Sequence, residues 1–176
     1  MPHNGLGRYE DISLFVKHPA PDLSCANEER NTSLMLAIYG DRRDDLVRDI
    51  LERRGFDINA TRNGGETALH IAARENSPEN FELLLAQGGI EPDVPDTSGA
   101  TPLLRTTQHL AAEALLAHRD AAVDHVDRLG RSALSYAAER DDQMSALVLR
   151  HGARPDLMDS SGYTPISRAA MAMRGR

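Results

Sequence analysis

Glu66-Thr67-Ala68-Leu69-His70-Ile71-Ala72-Ala73 is the stretch that decides the fold. Asn63-Gly64-Gly65, just before it, has the composition of a turn, because glycine accepts the positive φ that other residues avoid. Thr67 is placed to cap a short helix, its hydroxyl taking one of the backbone N–H groups that the first turn leaves unpaired. Helical spacing then puts Leu69, Ala72 and Ala73 on one face, where small alanines let a second helix come close. Nothing in the octet is catalytic. Its weight comes from recurrence.

Thr32-Ser33-Leu34-Met35-Leu36-Ala37-Ile38 precedes it as an earlier copy, and Thr101-Pro102-Leu103-Leu104, Ser132-Ala133-Leu134-Ser135 and Thr164-Pro165-Ile166-Ser167 follow. The leading hydroxyl residues stand at 32, 67, 101, 132 and 164, with gaps of 35, 34, 31 and 32. Gly65, Gly99, Gly130 and Gly162 lie two places before four of them, and Asp96, Asp127 and Asp159 lie three before three of those glycines. A period near ~33 residues marks an array in which each unit leaves an apolar face for its neighbour to cover.

This pattern resembles the ankyrin-repeat family, whose units read D-x-x-G-x-T-P-L-H-x-A-A, a second helix, then G-A-D-V-N. Gly65 to Ala73 carries the first part of that pattern, and Phe81-Glu82-Leu83-Leu84-Leu85 matches the second helix. Leu147 to Ala153 and Asp57-Ile58-Asn59-Ala60 supply the closing segments of two other copies. The resemblance implies a mostly α fold: a solenoid of stacked helix-turn-helix units with hairpin loops, about four full repeats plus a half unit at each end. Residues 1–6 are expected to be a flexible N-terminus and 7–176 one repeat domain. Within it the half unit spans 7–25, the repeats 32–60, 67–94, 101–126 and 132–157, and the closing half unit 164–173.

Two departures stand out. In the third repeat Arg105-Thr106-Thr107 replaces the apolar-Ala-Ala run, and about two residues are missing before Leu115 and Leu116, so its helix pair should pack less tightly or be tilted. The last copy ends on Ile166, Ala169, Ala170, Met171 and Met173, an apolar face. The half units either serve as caps or mark a piece of a longer array, which the apolar ending favours; self-association through that end is a third reading.

Composition narrows the function. The chain has 176 residues, 27% of them charged, and a net charge of −7, which predicts a soluble chain and argues against a nucleic-acid backbone as partner. Cys25 is the one cysteine, so no disulfide framework is expected; it is read as a small apolar filler at the family's alanine position. No apolar run reaches the ~18 residues of a membrane span, and no secretory leader is evident, so an intracellular location, cytoplasmic or nuclear, is expected.

No metal or cofactor is expected. His3, His18, His109 and His125 are scattered, and neither C-x-x-C, H-E-x-x-H nor a phosphate-binding glycine loop occurs. His70 stands at the family's loop-bracing histidine, while His118 and His151 fall near the ends of second helices, where an imidazolium suits the dipole. Asp44-Asp45 and Asp141-Asp142 sit at inter-helix turns, where solvation and capping explain them. No catalytic residues are assigned.

Candidate partner-binding residues come from two patterns. Four places after each hydroxyl stand Leu36, Ile71, Arg105, Tyr136 and Arg168, a position that the resemblance puts near the concave side. Arg105, Tyr136 and Arg168 either receive an acidic or aromatic partner segment or simply cover helix surface with their long stems. The resemblance also implies contacts at the hairpin tips (Asn63 and Glu66, Thr97 and Ser98, Arg128 and Arg131, Ser160 and Tyr163). Further contacts are implied just after the Ala-Ala pair, at Arg74 and Glu75, at Gln108, and at Glu139 and Arg140. Leu129 is an apolar residue at a tip. The mixed charge favours a specific protein epitope over a generic polyanion. The expected function is therefore non-catalytic protein binding through the groove and loop edge. The alternatives are an enzyme or enzyme accessory using Arg105, Tyr136, Glu139 and Arg168 on a small molecule, and an architectural segment of a larger repeat protein.

Overall fold

Each copy of the octet becomes a short helix opened by its hydroxyl residue. In the computed structural model, which describes residues 23–39, 44–53, 55–75, 77–118, 121–140 and 142–174, these are α1 (Ser33–Tyr39), α3 (Ala68–Arg74), α5 (Pro102–Arg105), α7 (Ala133–Arg140) and α9 (Pro165–Arg174). Antiparallel partners follow four of them: α2 (Asp44–Leu51), α4 (Pro78–Leu85), α6 (His109–Ala117) and α8 (Asp142–Arg150). The expected N-terminal segments at 1–6 and 7–25 lie outside the described residues, apart from 23–25.

The caps form as the pattern implies. Thr32, Thr67, Ser132 and Thr164 each accept the backbone N–H three residues on, at 3.3 to 3.4 Å. In α3 the box is complete, because buried His70 returns the favour: its Nδ1 accepts the Thr67 backbone N–H at 3.2 Å. His70 is thus a structural histidine, as the family pattern implies, closing the cap of its own helix. Thr101 is the exception, its hydroxyl making no cap bond.

The chain divides into two compact units, Met1–Ile90 and Glu91–Arg176. In the first, α1 packs against α2 and α3, and α4 against α2 and α3. Met35, Val47, Ile50, Leu69, Ile71, Phe81 and Leu84 form its core. In the second, α7 is the hub, packing on α5, α8 and α9, while α6 lies on α5 and α8. Leu103, Ala112, Leu115, Leu134, Leu147 and Val148 fill that core. Fully burying one such aliphatic side chain contributes roughly 1.5–3 kcal/mol, so neighbour packing outweighs intrinsic helix propensity in helices this short.

Repeat three departs as its sequence suggests, and the reason is local. Helix α5 stops after four residues because Thr106 turns to an extended backbone (ψ 139°) and its hydroxyl takes the Gln108 N–H at 3.1 Å. A β-branched pair in place of Ala-Ala favours that exit over another helical turn.

The loops between the helix pairs repeat one geometry. The backbone N–H of residues 27, 62, 96, 127 and 159 donates to the carbonyl four places on, at 2.9 to 3.1 Å. Successive tips are bonded as well: Asn63 N–H to Glu29 O, Arg128 N–H to Ser98 O, and Ser160 N–H to Leu129 O, at 2.8 to 2.9 Å. Pairing stops there, since the described residues contain only isolated bridges, Ala26 with Thr32 and Val126 with Ser132. One expectation is overturned. Cys25 is exposed rather than packed as an apolar filler, in a run, 24–30, that is exposed throughout.

Gly130 occupies a third turn position that the neighbouring tip closes to a side chain, whereas the first hairpin holds Arg30 at the same position with φ 63°. Gly130 sits at φ 72°, and a Cβ there would lie 2.9 Å from the Ser160 nitrogen. Gly162 has a similar φ of 79° with open space around it. Gly130→Ala is therefore expected to cost about 2 kcal/mol and Gly162→Ala about 1 kcal/mol, the excess reporting tip-to-tip contact, as read by urea unfolding.

Candidate functional site

The polar surface of the second unit is built from its hairpin aspartates. Each divides its two carboxylate oxygens between tasks. Oδ1 organises the loop, accepting the N–H groups two and four residues on: Ser98 and Ala100 for Asp96, Leu129 and Arg131 for Asp127, Ser161 and Tyr163 for Asp159, at 2.7 to 3.1 Å. Oδ2 reaches the helix residue nine places on. Arg105 Nε donates to Asp96 at 2.8 Å, the Tyr136 hydroxyl to Asp127 at 2.6 Å, and Arg168 Nε to Asp159 at 2.6 Å. These three helix residues are the ladder singled out in the sequence, so the ladder braces loops whatever else it does.

Burial and bonding set the protonation. Burial pushes the Asp96 carboxyl up, but hydrogen bonds from Ser98, Arg105 and the Ala100 N–H more than offset it and hold the group below its ordinary value. For Asp159 the Tyr163 N–H and Arg168 likewise override burial and lower it. Burial first, then the bond to Asp127, pushes the Tyr136 phenol up, so it remains a donor.

Several other candidates gather around Tyr136. Arg131 and Arg140 both lie over its ring at 5.4 Å, within cation–π reach. Glu139 is shared between Arg168 at 3.5 Å and Arg131 at 3.7 Å, and Arg168 also covers the Tyr163 ring at 5.2 Å. Most of this charge is spent internally. No carboxylate among the described residues pairs with Arg140 or Arg128. Arg128 and Leu129 stand at the tip of the 127–131 hairpin, Leu129 56% exposed, while Gln108 is half-buried at the start of α6.

Arg74 and Glu75 belong to the first unit and to a different cluster. Arg74 pairs with Glu66 at 2.9 Å and Glu75 at 3.5 Å, and donates to the Tyr39 hydroxyl at 2.9 Å. Arg62, bonded to Glu66, lies with Arg74 over the Tyr39 ring at 5.8 and 5.9 Å. Tyr39 escaped the sequence reading, although it stands seven places after Thr32 as Arg74 stands seven after Thr67.

A second missed feature is a cleft of roughly 90 Å³ in the second unit, between α5, α7 and α8. It lies where further turns of α5 would have packed; only the substitution at 105–107 hinted at it. On α9 the large apolar side chains Ile166, Met171 and Met173 are exposed. Among the described residues, no three His, Cys, Asp or Glu are grouped to hold a metal ion, and no helix is long and apolar enough to cross a membrane.

A family model described as ankyrin repeats, in three copies, matches residues 7–96. The neurogenic locus notch homolog protein 1 of Mus musculus is 34% identical over 161 residues, 88% of this chain and 6% of that protein. The B-cell lymphoma 3 protein homolog of Mus musculus is 32% identical over 169 residues, 92% of this chain and 37% of that protein, so the chain spans a minor part of either relative. A solved complex of the Bd0816 predatory endopeptidase from Bdellovibrio bacteriovorus with immunity protein Bd3460 contains a similar chain. It has a TM-score of 0.82 and 26% identity, over 96% of this chain and 89% of that one. The ankyrin repeat protein EF0377 shares the fold at 16% identity, with a TM-score of 0.83 over 94% of this chain and 87% of that one.

The loop aspartates make the fold acid-sensitive in a defined direction. Asp96 and Asp159 are held below the ordinary 3.8, so their stabilisation is complete above that value and is lost as pH falls through it toward the lowered ones. The double variant Asp96→Asn, Asp159→Asn should melt below the unsubstituted protein at about pH 7, with the gap narrowing progressively as pH falls below about 4, as read by thermal denaturation.

Proposed function

Because the chain belongs to the ankyrin-repeat family, whose repeats are generally protein-interaction modules, we propose that it is a non-catalytic, intracellular binding module, cytoplasmic or nuclear. It engages a protein partner through the inner-helix face, the concave side of the family pattern, and the hairpin edge. The observation that carries this reading is the tip of the 127–131 hairpin. Its backbone is fixed by Asp127 and by bonds to the neighbouring tips, and it presents the exposed side chains of Arg128 and Leu129. A fixed backbone presenting an exposed apolar residue beside a guanidinium that pairs with no carboxylate among the described residues favours recognition, since little ordering entropy remains to be lost on binding.

The other candidates take supporting parts. Arg105, Tyr136 and Arg168 hold the loops, and Arg131, Glu139, Arg140 and Tyr163 present mixed charge and ring edges beside them. Gln108 lies on the same unit, and Arg74 and Glu75 offer a second contact region on the first. The partner is expected to bring acidic or aromatic groups to this surface. The similarity to a chain of a peptidase–immunity protein complex makes an enzyme one class of partner to test first.

Capture from native extract, followed by reconstitution with the purified species, tests the proposal. Arg128→Glu with Leu129→Asp should weaken binding at least about tenfold while leaving the circular dichroism and melting temperature unchanged. A partner that ignores these changes, and is instead lost on altering exposed Leu149 or Arg150 of α8, overturns it.

A further inference from the structure

The cleft between α5, α7 and α8 exists because one helix is short. Leu103 from α5, Ala133 and Ala137 from α7, and Met144 and Val148 from α8 line it, all of them buried. At its mouth stand exposed Thr107 and Arg140 and half-buried Tyr136. At roughly 90 Å³ it is smaller than the ~150 Å³ apolar cavities that hold benzene, and suits one branched aliphatic side chain better than a ring.

Its mouth carries a cation with no carboxylate partner among the described residues. In this unit Arg105 and Arg168 are tied to aspartates and Arg131 to Glu139. Arg140 makes no such pair among the described residues; its guanidinium rests on the Tyr136 ring at 5.4 Å. Stacking on an aromatic face orients a guanidinium while leaving its N–H groups free to grip a carboxylate side-on. An apolar socket and an oriented cation thus adjoin; Leu104 and Thr106 complete the lining, and the Thr106 and Tyr136 hydroxyls are already engaged, with the Gln108 N–H and with Asp127.

We propose that this cleft is an anchor site for a protein segment that inserts a leucine, isoleucine or valine side chain and sets a neighbouring aspartate or glutamate against Arg140. The proposal rests on the protein-binding reading above and adds a second, chemically defined contact. The insertion removes the apolar walls from water, and the ion pair fixes the direction of the segment. Carboxylates already occupied elsewhere in the unit keep competing cations from taking the same acidic residue.

The probe is a phage-displayed library of random linear peptides, selected against the full chain, with affinities of synthetic winners read by fluorescence anisotropy. Enriched peptides should pair an aliphatic with an acidic residue. Ala137→Leu, which fills the cleft from inside, should weaken them about tenfold or more without lowering the melting temperature. Arg140→Glu, on the surface, should weaken them comparably and reverse the salt dependence, so that added salt no longer weakens binding; it also keeps the test decisive if the filled variant does not fold. Winners that bind both variants like the unsubstituted chain, or that lack acidic residues, overturn the proposal, as does a selection that yields none. So does capture of 4-methylpentanoate alone with the affinity of the peptides, or a concentration-dependent dimer lost on filling the cleft. Binding that ignores Ala137→Leu and Arg140→Glu but still fails with the altered 127–131 tip leaves the edge proposal standing. Peptides seated in the cleft with an edge-independent partner do the reverse.

Discussion

One buried carboxylate per hairpin, its two oxygens put to different uses, governs the second unit. Asp96, Asp127 and Asp159 each shape their loop with Oδ1 and hold a helix with Oδ2. A hairpin of five residues cannot bury apolar surface of its own, so its conformation must come from hydrogen bonds and from a neighbouring tip. The carboxylate supplies both at once. It satisfies loop N–H groups that would otherwise be unpaired, and it converts a flexible arginine or tyrosine into a fixed strut. Asn27 does the loop half of the task in the first hairpin, accepting the Glu29 and Asn31 N–H groups at 3.1 and 2.8 Å.

The same bracing changes what the surface offers. A stripe of arginines in a sequence suggests attraction for anions. Here Arg105, Arg131 and Arg168 are neutralised at home, and burying the Asp96 and Asp159 side chains would be costly without them. What this face leaves for a partner is sparse and specific: a leucine at a tip, the Arg128 and Arg140 guanidiniums, which pair with no carboxylate among the described residues, and tyrosine rings beneath arginines. Such a surface discriminates by geometry more than by net charge, in keeping with a chain whose overall charge is negative.

Helix length is the other lever. Where the first helix runs seven or eight residues, as in α1, α3 and α7, the pair and its neighbour close over a packed core. Where Thr106 diverts the chain after one turn, the neighbours are too rigid to collapse into the gap, because interiors repack only in part around missing volume. A lapse in the repeat therefore becomes a recess, and its position beside Arg140 gives the recess a polarity.

The amino-acid sequence by itself determined the helix-pair repeat, the hydroxyl caps, the structural place of His70 and the weakness of the third unit. All of these follow from interactions within a few residues, which leave a periodic trace: a hydroxyl opening each copy, a glycine two places before it in four of them, and apolar residues at helical spacing. Tertiary structure alone decided which side chains the fold consumes. The pairing of Arg105 with Asp96, the rings under Arg74 and Arg140, the exposure of Cys25 and the open cleft depend on distances across elements. A charged residue nine places from another carries no sign of whether it is bound or free until the helix and the loop are set against each other.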